Sequence, residues 1–146
     1  MTCKRLYLTF SRWASRLKSV ALLALRIILA YGFFGPAMMK WHDIDGVAVW
    51  LGSIGIPFPH VNAYMAATTE LLGVVLLTLG LFTRWITILL IVVMIVAIVT
   101  VHLPNGFSAG DNGFEIPLYY MSMLFVLLAY GPGNISLDRF LFKEEA

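Results

Sequence analysis

Long apolar stretches separated by short polar ones set the pattern of this chain. Four runs are long enough to cross or nearly cross a bilayer core, which takes roughly 20 residues, the first three being residues 20–39, 61–82 and 85–103. The fourth, residues 116–130, is shorter and carries Pro117 near its start, a residue suited to the first turn of a helix. Its ends can draw in Phe114 or sit where the bilayer thins. The third run is rich in Ile and Val, which favour strands in water. In lipid a backbone must satisfy its own hydrogen bonds, so helix wins. The pattern predicts an all-α integral membrane fold, a four-transmembrane-helix bundle.

The flanks add two helices. In residues 1–18, Leu6, Phe10, Trp13 and Leu17 recur at helical spacing among Lys4, Arg5, Arg12, Arg16 and Lys18. This predicts an amphipathic helix lying on an anionic membrane surface, with a plain orienting flank as an equal alternative. The stretch "DIDGVAVWLGSIGIPFP" (43–59) predicts a short interfacial helix in the first outer loop, with an aspartate near its start. Val47, Trp50, Leu51 and Ile54 are its apolar positions, and Gly55 with two prolines stops it. Pro36 is expected to kink the first span. The loop 102–115 holds three glycines and is too apolar for a linker; it is expected to fold over the bundle end.

Composition narrows the class. Of the 146 residues, 60% are hydrophobic and 12% charged. Soluble domains run at roughly 45–50% and about 25%. Mean hydropathy is +0.88. The whole chain, 1–146, reads as one membrane domain whose first partner is the lipid bilayer, and no nucleic acid is expected. Cys3 stands alone, which excludes an internal disulfide and thiol-pair redox chemistry. No small-residue cleavage site follows the first apolar run, so a removed signal peptide is not expected. Basic residues crowd the N-terminus, the 82–85 link (Arg84) and the tail 131–146 (Arg139, Lys143), while the opposite flanks carry only Lys40. The positive-inside rule then puts both termini in the cytoplasm of a multi-pass protein.

Two ionisable residues fall deep inside the expected spans, Arg26 and Glu70. Arg26 is roughly 9 Å past the inner end of its span and Glu70 on the order of 13 Å below the outer end of its own. In a core about 30 Å thick their depths differ by under about 10 Å. The helices are sequence neighbours, so an Arg26–Glu70 ion pair is expected. An uncompensated charge there costs at least ~2.5–3.5 kcal/mol. The pair is either an internal brace or part of a pocket for a polar-headed lipophilic molecule or a proton relay. Tyr31, Tyr64 and Tyr119 are candidates to line it. Gly32 and Gly35 permit close approach of a helix or ligand. Lys40, His42, His60, His102 and Glu115 fall on the outer face, with Lys40, Trp41 and His42 accounted for as interfacial anchors. No metal site is expected; the weaker alternative is a copper-type set of His42, His102 and Met39. No catalytic residue is assigned.

Several landmarks coincide: Arg26 ahead of a glycine-rich half span ending in Lys40, "ATTELLGVVLLTLGLFTRW" (67–85), "VMIVAIVTVHLPNGF" (93–107) and "YGPGNISLD" (130–138). Together they resemble the DoxX family of small four-helix bacterial inner-membrane proteins, over nearly the whole chain. In "GFFGPAMMKWHDI", Gly35-Pro36 stands where many members have a histidine. That variant resembles the branch found alongside maturation enzymes for copper-binding modified peptides. The resemblance implies a quinone-linked or redox role as accessory subunit of a membrane oxidoreductase or peptide-maturation system, in the bacterial inner membrane. It implies quinone as a non-covalent ligand, no covalently bound cofactor, and a protein partner or homo-oligomer. The alternatives are a non-catalytic scaffold for a partner and a small transporter acting as an oligomer.

Overall fold

The computed structural model describes residues 2–143, all of it helix, turn and loop with no strand among the described residues. The first residue and the last three of the expected tail lie outside the described residues. Helix α1 (Thr2–Ser15) is followed by α2 (Lys18–His42), α3 (Ile44–Ser53), α4 (Pro59–Leu79), α5 (Thr83–Ala97), α6 (Glu115–Tyr130) and α7 (Leu137–Phe142). Helix α5 runs on through a π turn (Ile98–His102) and a short 3-10 turn (Leu103–Asn105). Counting that continuation, α2, α4 and α5 are long and apolar enough to cross a membrane. Helix α6 is apolar but has only 16 residues.

The expected elements are present, with shifted ends. Helix α2 continues past Pro36 and past residue 39 to His42. Helix α3 starts where the aspartate suggested: the Asp43 carboxylate accepts from the Gly46 N–H at 2.9 Å. Gly55, at φ 84, follows its end. Helix α4 closes on Gly80, whose φ of 65 favours a residue without a side chain, and the Leu81 N–H returns to the Leu76 carbonyl at 3.0 Å.

Four helices form the bundle. The largest interface joins α2 to α4; α5 packs on α6, α4 on α5 and α2 on α6, while α3 lies against α4. Lipid is as apolar as leucine, so close packing rather than escape from water must hold such helices together. The buried stripes fit that demand. Helix α2 buries Leu22, Arg26, Leu29, Phe33 and Ala37, and α4 buries Ala63, Ala67, Glu70, Gly73 and Leu77, each at three- or four-residue steps. Small residues on these stripes let the backbones approach. Large apolar side chains such as Ile28, Phe34, Leu72, Val75, Leu89, Val92, Val96 and Phe125 remain exposed around the bundle, as a lipid-facing surface requires.

Two segments depart from a simple bundle. The side chains of residues 3–13 in α1, basic and apolar alike, are exposed, as a helix lying outside the bundle requires. The stretch after α6 is no loose tail. Gly131, Pro132, Gly133 and Asp138 are buried, and the Asp138 N–H donates to the Gly80 carbonyl at 2.9 Å.

Candidate functional site

The charged residues on the buried stripes form two clusters at opposite ends of the bundle. At one end, Lys40 Nζ lies 3.0 Å from Glu70 Oε1 and 2.9 Å from Oε2. The Glu70 side chain is only 4% exposed and that of Lys40 20%, so the carboxylate sits behind the ammonium. The expected Arg26–Glu70 pair does not form. Side chains on a helix lean toward its N-terminus. On antiparallel α2 and α4, Arg26 and Glu70 therefore lean apart, whereas Lys40 and Glu70 lean together. Lys40 is no plain interfacial anchor but the counter-ion of the buried carboxylate.

Beside this pair is a cavity of about 270 Å³. Phe33, Pro36, Met94, Ala97, Ile116 and Pro117 give it apolar walls, and Lys40, Glu70, His102 and Tyr120 bring polar groups. Gly32 forms part of the wall; a Cβ there would overlap the Tyr120 hydroxyl. The Tyr120 ring is held edge-on against Phe33, with centroids 5.5 Å apart. Ala109, Asn112 and Gly113 come from the 103–114 loop, which folds over this end as its composition predicted.

The π turn brings His102 to the wall. Met94 and Ala97 line the cavity, and an unbroken α-helix would place residue 101 next on that stripe. The Leu103 N–H instead reaches back five residues to the Ile98 carbonyl, which inserts one extra residue and presents His102. Its Nδ1 lies 2.8 Å from the Asn112 carbonyl oxygen, fastening the end of α5 to the loop.

At the other end, Arg26 is fully buried. Nη1 donates to the Leu77 carbonyl at 3.2 Å and Nη2 to the Ile135 carbonyl, so the guanidinium ties α2 and α4 to the C-terminal segment. Asp138 is near enough for its charge to act on Arg26. Its carboxylate accepts from the Phe82 N–H at 2.7 Å and the Thr83 N–H at 2.9 Å, capping α5 from outside. This second cluster joins four parts of the chain and lies away from the cavity.

Other sequence candidates fall elsewhere. Tyr31 is 84% exposed on the bundle's outer surface. Tyr64 is half-exposed and meets Trp41 edge-on with centroids 6.0 Å apart. Tyr119 donates to Glu115 Oε1 at 3.0 Å. None of the three lines the cavity; Tyr120, one helical step of about 100° beyond Tyr119, does. Glu115 also accepts from the Ala109 N–H at 2.9 Å, so it braces the loop. His42 is exposed, and His60 lies 3.8 Å from Asp45 on the surface. The copper-type set is not assembled: Met39 and His42 are exposed, and only His102 reaches the cavity. Sequence reasoning did not pick out Asp138, Tyr120 or Asn112. Asp138 could have been found from α5, whose own N-cap, Phe82, supplies no side-chain acceptor.

The sequence model of the family described as DoxX matches residues 21–103. The chain belongs to the DoxX family. A Bacillus subtilis (strain 168) protein carrying the name "Putative oxidoreductase CatD" is 36% identical, covering 85% of this chain and 89% of its own. The Escherichia coli (strain K12) protein named "Inner membrane protein YphA" is 32% identical over 89% of this chain and 95% of its own. A Haemophilus influenzae protein with no functional name is 33% identical over 85% of each chain. No solved structure gives a significant match. With its apolar helices and these relatives, this DoxX protein is a bacterial membrane protein. The DoxX match contains Arg26, Lys40, Glu70 and His102 but ends before Tyr120 and Asp138.

Proposed function

We propose that this protein binds a quinone or quinol head in the Lys40–Glu70 cavity and serves as a quinone-linked accessory subunit of a membrane oxidoreductase or peptide-maturation system. In this reading α6 also crosses the bilayer, both termini are cytoplasmic, and the cavity opens in the outer half of the membrane. The observation that carries it is a buried ion pair set into a mainly apolar, ring-sized cavity at the end of the bundle. Intramembrane charges usually mark a site rather than a brace. About 270 Å³ is just under the roughly 300 Å³ at which drug-sized sites begin, so a single ring fits and an isoprenoid tail stays in lipid.

The residues suit such a head. An ammonium has three N–H donors, and Lys40 keeps capacity beyond Glu70 for a ring oxygen. Phe33, Met94 and Ile116 offer apolar contact to the ring. Glu70 holds the ammonium in place and keeps the cavity free of unmatched charge. The quinone itself supplies the redox chemistry, and a partner holds the other redox centre. The oxidoreductase name of the Bacillus relative supports the same reading.

The test is to purify the protein in lipid nanodiscs and look for quinone by mass spectrometry. Wild type is expected to carry quinone, and the Lys40→Met, Glu70→Gln double variant to fold and lose it. A wild-type protein that neither carries quinone nor binds an added short-chain analogue overturns the reading and leaves a scaffold.

A further inference from the structure

We infer that His102 is a hydrogen-bond acceptor that makes the cavity prefer the reduced, hydroxyl-bearing form of its ligand; this rests on the quinone reading above. A carbonyl oxygen can only accept, so His102 Nδ1, 2.8 Å from the Asn112 oxygen, carries the proton. In a neutral imidazole the other nitrogen is then a bare acceptor. The tautomer is held firmly. Asn112 sits in the left-handed region at φ 59, and its carbonyl also accepts from Asn105 Nδ2 at 3.2 Å. That same amide donates to the Val101 carbonyl at 3.2 Å, tying the loop to the helix end that carries the histidine.

His102 lines the same cavity as Lys40. With its Nδ1 taken up by the loop, Nε2 would give this wall an acceptor to set against the ammonium donor. A quinone presents two acceptor oxygens: one matches Lys40, the other faces a lone pair. A quinol presents two hydroxyls: one oxygen accepts from Lys40, and the other hydroxyl donates to Nε2. A site built to pair with a hydroxyl disfavours the analogue that lacks it, because the site's own polar group is left unmatched. No bond is made or broken in this step. The preference is expected to be about tenfold, which raises the two-electron potential of the bound couple by about 30 mV.

The obvious objection is that His102 merely pins the loop, and one substitution separates the roles. In His102→Asn the amide nitrogen takes the place of Nδ1 and keeps the bond to Asn112, while the Nε2 acceptor is gone. Wild type and variant, in nanodiscs, are titrated anaerobically with trimethylhydroquinone and with trimethylbenzoquinone. Wild type is expected to bind the hydroquinone about tenfold more tightly. The variant is expected to keep its thermal midpoint and bind both alike. In ¹⁵N-histidine spectra, the resonance absent from the variant should report an unprotonated Nε2. A variant that retains the preference shows another acceptor on the wall, such as Glu70, and overturns the inference. So does a proton on Nε2. Equal binding of both probes by wild type overturns the inference alone, whereas binding of neither removes the quinone reading as well.

Discussion

The Lys40–Glu70 pair predicts unequal costs for its two halves. Removing one partner of a buried pair generally costs about 3–5 kcal/mol, because the survivor is left charged and unmatched. Here the survivors differ. Lys40→Met strands a carboxylate that is only 4% exposed and belongs at the upper end of that range. Glu70→Gln strands an ammonium that is 20% exposed on a flexible stem near a helix end. That group can swing outward, and Gln can still accept one of its hydrogen bonds, so a loss of about 1–3 kcal/mol is expected. The double variant, Lys40→Met with Glu70→Gln, removes both charges and should lie within about 1 kcal/mol of wild type, a coupling of several kcal/mol. Reversible unfolding of the four proteins in bicelles, followed by helical circular dichroism, measures the cycle. Arg26→Gln supplies the control. Its partners are Leu77 and Ile135 rather than Glu70, so its loss should add to that of Glu70→Gln within about 0.5 kcal/mol. Additive losses at Lys40 and Glu70, or Glu70→Gln costing more than Lys40→Met, would refute the reasoning.

Three other outcomes follow from the geometry. Arg26→Met strips the Leu77 and Ile135 carbonyls of their donor and should cost at least about 1–3 kcal/mol; limited proteolysis should then cut within 131–143 first, whereas uniform cleavage would argue against a latch. Gly32→Ala should displace Tyr120 and lower quinone occupancy, because the added Cβ would overlap both the hydroxyl and the ring; an unchanged variant would show the approach is not tight. Reporter fusions in the 82–85 link and after the C-terminus should read cytoplasmic and one in the 104–115 loop outside, and a periplasmic tail would reverse the proposed orientation.

The helices were legible because apolar run length and stop signals act locally. Asp43, Gly55 and Gly80 each end or begin an element through their own backbone chemistry. The pairing of charges was not, because depth alone ignores direction. Arg26 and Lys40 lie on one face of α2, fourteen residues or about 21 Å apart, and Glu70 could meet either. Only the lean of side chains along antiparallel helices decides for Lys40. The tyrosines were missed by rotation: Tyr119 and Tyr120 differ by one step, and run length carries no phase. Asp138 acts across 55 residues on the Thr83 N–H, a contact no local pattern announces.

The π turn also settles where this helix can change length. Because one supernumerary residue is already looped into Ile98–His102, deleting a single residue from 98–101 lets that turn revert to ordinary α geometry with the histidine still aimed at the cavity. The same deletion one or two turns earlier would swing everything beyond it by about 100° and carry His102 off the wall. Single-codon deletions are therefore tolerable in that one short window of α5 and disabling upstream of it, whatever the identity of the residue lost.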